Sequence, residues 1–133
     1  MSGLVLKLRP AERIMINGAV IENGDRRTRL NVLTPKANVL RLRDAIHPDE
    51  ATTPVRRVCY IAQLLLAGEA EPREARKQLL QGIEQLKQVF LDPASTAHLR
   101  DAKSNLQEEN DYQALKFLRF LLPVEDRLME MHT

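Results

Sequence analysis

The sequence predicts an α+β protein, a small antiparallel β-sheet or partial barrel of about five short strands followed by a helical bundle of about four helices. Three observations predict it. Up to Ile46 the apolar residues come in short runs, several of them alternating with polar side chains, and an Asn17-Gly18 pair separates two of the runs. Beyond Pro54 the apolar spacing changes to three and four residues. Three of these later segments open on a capping residue followed by proline, at Thr53-Pro54, Glu71-Pro72 and Asp92-Pro93.

Taken in order, Leu4, Val5, Leu6, Lys7 and Leu8 form a first strand, stopped by Pro10. Ile14, Met15 and Ile16 and then Ala19, Val20 and Ile21 flank Asn17-Gly18, a pair that accepts positive φ at both turn positions and so predicts a hairpin. A second turn follows at Asn23, Gly24 and Asp25. Beyond it Thr28, Leu30 and Val32 alternate with Arg27, Arg29 and Asn31, which makes one face apolar and the other basic. Residues 39–43 repeat the pattern, with Leu40 and Leu42 on one face and Arg41 and Arg43 on the other. A unit of this size must bury a face on a partner or on the rest of the chain.

Residues 47–53 join the halves. In the first helix Val55, Val58, Cys59, Ala62, Leu65 and Leu66 recur at helical spacing until Gly68. The second carries Ala75, Leu79, Ile83, Leu86 and Phe90 on one face, and the third Leu99, Ala102 and Leu106. A fourth starts near Asp111 with Tyr112, Leu115, Leu118 and Leu122, and Pro123 kinks or ends it. The organisation expected is a basic, β-rich module over residues 1–46 and an α-helical region over residues 47–133.

Charge separates the same two parts. The formal net charge is only +2, yet residues 1–46 hold nine Lys or Arg against four acids, a balance of +5, and the remainder eleven against fourteen, a balance of −3. That asymmetry suits a first half that faces a polyanion, although basic side chains also solvate the outer face of a small sheet.

Enzyme chemistry finds little support. His47, His98 and His132 have no second ligand-type residue at zinc spacing, and no phosphate loop or nucleophile elbow occurs. Asp49 and Glu50 read as acids offsetting a helix dipole rather than a general acid and base. Cys59 is the one cysteine and lies in an apolar run, which predicts a buried, inert thiol in a reducing compartment. Residues 1–8 lack a long hydrophobic region, and the apolar stretch at 61–67 is broken by Gln63, so neither a secretory signal nor a membrane span is expected. The expectation is a cytoplasmic, non-enzymatic protein without cofactor or metal. For nucleic acid, the first 59 residues contain no Phe, Tyr or Trp, so binding by base stacking is not expected and Arg and backbone contacts remain.

The segments GLVLKLRPAERIMINGAVIENGDRRTRLNVLTPKANVLRLRDAIHPDE and ATTPVRRVCYIAQLLLAGEAEPREARKQLLQGIEQLKQVF resemble the FlbT flagellum biosynthesis repressor family, from residue 3 to about residue 122, with residues 40–60 the most distinctive part. The resemblance implies a bacterial regulator that associates with the 5′ untranslated leader of flagellin messenger RNA and alters its translation and decay. The first half is also similar to the carbon storage regulator family in its opening strand (Leu4 to Leu8), the turn at Ala11 and Glu12, and the run at residues 43–46. Those proteins are interlocked dimers that grip RNA with basic residues of the first strand and of the end of the last. That likeness implies roles for Lys7, Arg9 and Arg43 here, and the open edges of five short strands separately favour a homodimer through the strand module. Leu8 stands where that family has Arg and Ala11 where it has Gly, so its preference for a GGA-bearing loop is not carried over.

The expected RNA-binding residues are Lys7, Arg9, Arg27, Arg29, Arg41 and Arg43, with a flagellin mRNA leader as partner. The alternative is an adaptor that holds flagellin or another flagellar regulatory protein and affects RNA indirectly. It is suggested by the long helical half and by Leu121, Leu122, Leu128, Met129 and Met131 near its end, residues that otherwise read as core.

Overall fold

The structure, a computed structural model, describes residues 3–131; His132 therefore lies outside the described residues. Five strands, β1 (Leu4–Leu8), β2 (Arg13–Ile16), β3 (Ala19–Glu22), β4 (Thr28–Val32) and β5 (Val39–Arg41), precede five helices. These are α1 (Pro54–Leu66), α2 (Pro72–Lys87), α3 (Pro93–Gln107), α4 (Asp111–Arg119) and α5 (Leu121–Glu130).

The strands form two antiparallel sheets rather than one, β1-β4 and β3-β2-β5. Asn17 and Gly18 both take positive φ and make the hairpin that their sequence predicts, pairing Ile16 with Ala19. The turn after β3 does not fold β4 back onto β3. Asn23 donates from its side chain to the carbonyls of Arg9 and Arg26 at 2.7 and 2.8 Å, and its backbone N–H donates to Glu12 O at 2.8 Å. Those bonds carry the chain across to β1, where Leu6 pairs with Leu30 and Lys7 with Arg29.

Alternation then gives the second sheet two buried faces. Ile14 and Val39 pack with Leu6 and Leu8 of the first sheet, while Met15 and Leu40 join the helical core. The molecule is thus layered as sheet, sheet and helices, and Tyr112 of α4 touches both cores. The strand expected over residues 39–43 ends at Arg41, and Leu42–Asp44 form a 3-10 turn. Its alternation stops because Arg119 of α4 binds this turn, donating to Asp44 O at 3.0 Å and meeting Asp44 Oδ1 at 3.3 Å. Gln63 of α1 closes the same junction with paired bonds to Ile46 at 2.7 and 3.0 Å.

The helices begin where the caps say. Thr53, Glu71 and Asp92 accept from the first turns of α1, α2 and α3, satisfying N–H groups that have no partner inside the helix. The expected apolar faces are the buried ones: Val58, Leu79, Ile83, Leu99, Leu106 and Leu118 share one core. Gly82, inside α2, lets α1 approach closely, since a Cβ there would lie 2.8 Å from Val58 Cγ2. This contact explains a residue that costs a helix about 1 kcal/mol in isolation. The fourth helical segment divides at Phe120, and Pro123 falls in the first turn of α5, where its missing N–H costs nothing. The apolar chain end, which reads as core or else as a partner-binding stripe, splits: Leu121 is buried and Leu122 and Leu128 pack on the core, whereas Met129 and Met131 are exposed. Among the described residues no helix is long and apolar enough to cross a membrane.

Candidate nucleic-acid interface

The outer face of β1-β4 is built by simple alternation. Leu6 and Leu8 point inward, which leaves Lys7, and Arg9 just beyond the strand, pointing out; on β4 the outward residue opposite Lys7 is Arg29. Arg9 and Arg27 flank the last rung, Leu8 with Thr28. One like-charged pair, Lys7 and Arg29, therefore faces across the ladder, with Arg9 and Arg27 just beyond its end, and like charges directly opposite one another destabilise a sheet. All six expected residues, Lys7, Arg9, Arg27, Arg29, Arg41 and Arg43, line a single depression of about 480 Å³ with Leu8 and Thr28.

Their chemistry divides them. Lys7, Arg9, Arg27 and Arg29 meet no carboxylate among the described residues. Arg41 and Arg43, on the wall contributed by β5 and the turn after it, are tied to Glu12. Arg41 Nε donates to Glu12 Oε2 at 2.9 Å and its Nη2 to Oε1 at 3.1 Å, and Arg43 Nε lies 3.6 Å from Oε2. Glu12 also accepts from the backbone N–H of Arg9 at 2.9 Å, and Arg41 Nη2 donates to the carbonyl of Lys7. The carboxylate is 3% exposed, so its charge is neutralised by these donors rather than by water. Hydrogen bonding from Arg41 holds the Glu12 carboxyl below its usual range, against a smaller opposing effect of burial, and Glu12 in turn raises Arg41. Arg41 is thereby a positioning residue, fastening β5 to β1 beneath the free cations.

Glu12 is the functional residue that sequence reasoning passed over. Its signal was present in the turn at Ala11 and Glu12: Ala11 takes φ 59°, the left-handed region, so the position where the carbon storage family has Gly demands Gly-like backbone here too. A second wall was less visible. Tyr112 and Phe120, from the helical half, lie in a groove of about 600 Å³ that also contains Lys7 and Arg41. The other residues weighed for chemistry have structural settings. Glu50 accepts from His47 N at 3.0 Å and caps a 3-10 turn. Cys59 is 1% exposed, and burial pushes its thiol up to about 12.

Comparison with known proteins covers nearly the whole chain. The family described as "Flagellar protein FlbT" matches residues 4–129. The chain is 34% identical over 124 residues to the "Probable flagellum biosynthesis repressor protein FlbT" of Caulobacter sp. (strain K31), covering 93% of this chain and 94% of that one. It is 32% identical over 123 residues to the "Flagellum biosynthesis repressor protein FlbT" of Caulobacter vibrioides (strain ATCC 19089 / CIP 103742 / CB 15), covering 92% and 86%. The probable repressor of Mesorhizobium japonicum is 32% identical over 126 residues, with 95% and 84% covered. No solved structure matches. With a family match spanning almost every described residue and relatives aligned over more than nine-tenths of its length, this chain belongs to the FlbT family.

Proposed function

We propose that this chain represses flagellum biogenesis after transcription, as a cytoplasmic, non-enzymatic protein that binds the 5′ untranslated leader of flagellin mRNA and lowers its translation or promotes its degradation. The repressor names of its relatives support the biological process. The observation that carries the molecular reading is the unneutralised ladder of Lys7 against Arg29 with Arg9 and Arg27 beside it. Four side-chain cations held on one rigid sheet and opposed by no carboxylate form a phosphate-binding surface, with Arg forks suited to bidentate contacts. The unpaired edge of β3, with Val20 59% exposed, is where a second copy would pair to form a homodimer.

The test is binding of labelled flagellin leader RNA, from the genome that encodes this chain, across a salt series. Each phosphate contact on single-stranded RNA contributes about −0.7 to the slope of log K against log salt, so four contacts give about −2.8. The Arg9→Ala, Arg27→Ala double variant should weaken binding and flatten that slope by about 1.4. A folded double variant with unchanged affinity and slope would remove the ladder from the site. Absence of any leader-specific binding by the wild type would overturn the proposal.

A further inference from the structure

The strand module has no aromatic residue, yet it is not without aromatic neighbours. Residues of β1 and β5 form one side of the 600 Å³ groove and residues of α4 and the Phe120 junction the other. The groove shares Lys7 and Arg41 with the basic depression, so the two are one continuous surface. On its helical side Phe120 is 47% exposed, so part of its ring is open to a ligand. Its ring is held in place by stacking on His98, with centroids 4.6 Å apart, and by Phe117 at 6.3 Å. Tyr112 lies in the same groove, and Lys116 and Lys7 stand there without a carboxylate partner. The one acid in the lining, Asp44, is engaged by Arg119 and Arg43.

We infer that this groove is a nucleobase subsite: an unpaired base of single-stranded RNA stacks on Phe120 beside Tyr112, while the flanking phosphates run over Lys7 and Lys116 onto the basic ladder. The inference rests on the RNA-binding reading above and adds to it a base contact supplied by the helical half. Every base has a π-face, so such a platform binds single strands with little sequence preference and is unavailable to a duplex whose bases are stacked. A preformed ring also loses little entropy on binding. Continuity with the ladder, and a rim whose one acid, Asp44, is already paired with Arg119 and Arg43, favour a nucleotide over a polypeptide segment in this groove.

The experiment compares wild type, Phe120→Leu and Phe120→Tyr for binding to the leader RNA and to inorganic polyphosphate, which has the charge but no bases. Leucine keeps apolar bulk against His98 and Phe117, and thermal melts check that each variant folds. Expected is about a ten-fold loss of RNA affinity in Phe120→Leu, unchanged polyphosphate affinity, and recovery in Phe120→Tyr. Photo-crosslinking of leader RNA to the wild type should map to the peptides holding Phe120 or Tyr112, a readout that needs no variant. Wild-type RNA binding with an indifferent Phe120→Leu, equal losses for RNA and polyphosphate, or crosslinks confined to other peptides would each overturn the subsite while leaving the ladder in place. Failure of the wild type to bind RNA at all would overturn both.

Discussion

Replacing Glu12 with Gln should weaken the fold and strengthen its attraction for polyanions at the same time. The carboxylate receives two hydrogen bonds from Arg41 and one from Arg9 N, and lies within 3.6 Å of Arg43. A glutamine there keeps the shape but turns an NH2 group toward a guanidinium, so at least one Arg41 contact becomes donor against donor. A hydrogen bond to a charged group contributes about 1.5–3 kcal/mol, and breaking a buried pair costs about 3–5 kcal/mol. Because Arg41 keeps 15% exposure, part of that cost is returned by water, and we expect a loss of about 2–3 kcal/mol. With an unfolding entropy of about 2.1 cal/mol/K per residue over 133 residues, Tm falls by about 7–11 °C. The pH dependence has a definite sign. Glu12 has a folded pKa below its usual value, so its stabilisation is complete above that value and is lost as pH falls through the depressed one. Thermal melts of both proteins should therefore differ fully at neutral pH and converge as the pH falls through the depressed value. Meanwhile the variant carries one more net positive charge, and Arg41 and Arg43 are released toward the depression, so polyphosphate binding tightens. A Tm unchanged at neutral pH, or a gap that persists in acid, would refute the role assigned to Glu12.

Two further outcomes follow from single residues. Cys59, whose thiol burial pushes up to about 12, should resist a thiol reagent such as dithionitrobenzoate at pH 8 and react fully once denaturant is added; rapid labelling of the native protein would contradict the packing around α1. Ala11→Gly should raise stability by about 0.5–1 kcal/mol in urea unfolding, because relief of the left-handed strain at φ 59° exceeds the added freedom of the unfolded chain. A loss of stability would show that the Ala11 methyl makes contacts worth more than the strain.

The sequence by itself determined what local chemistry decides. Asn17-Gly18 makes its hairpin because the two residues tolerate positive φ without help from the rest of the molecule. Thr53, Glu71 and Asp92 start their helices because each side chain reaches N–H groups two or three residues away. Arg27 and Arg29 were legible as an outward basic face because strand alternation has a period of two, whereas Lys7 and Arg9 were singled out by family likeness. The pairing of β4 with β1 was not legible, since it depends on Asn23 bridging to Arg9 and Arg26, a contact between segments fourteen positions apart. Nor could the count of basic residues tell that Arg41 and Arg43 are held by Glu12, twenty-nine positions from Arg41. The absence of aromatics from the first 59 residues was a true statement about sequence and a misleading one about the surface. Packing of α4 on the sheets sets Tyr112 and Phe120 beside Lys7. Local rules act over a turn of chain, whereas which cations stay free and which rings stand beside them is decided by contacts that only the tertiary fold brings within hydrogen-bonding or van der Waals distance.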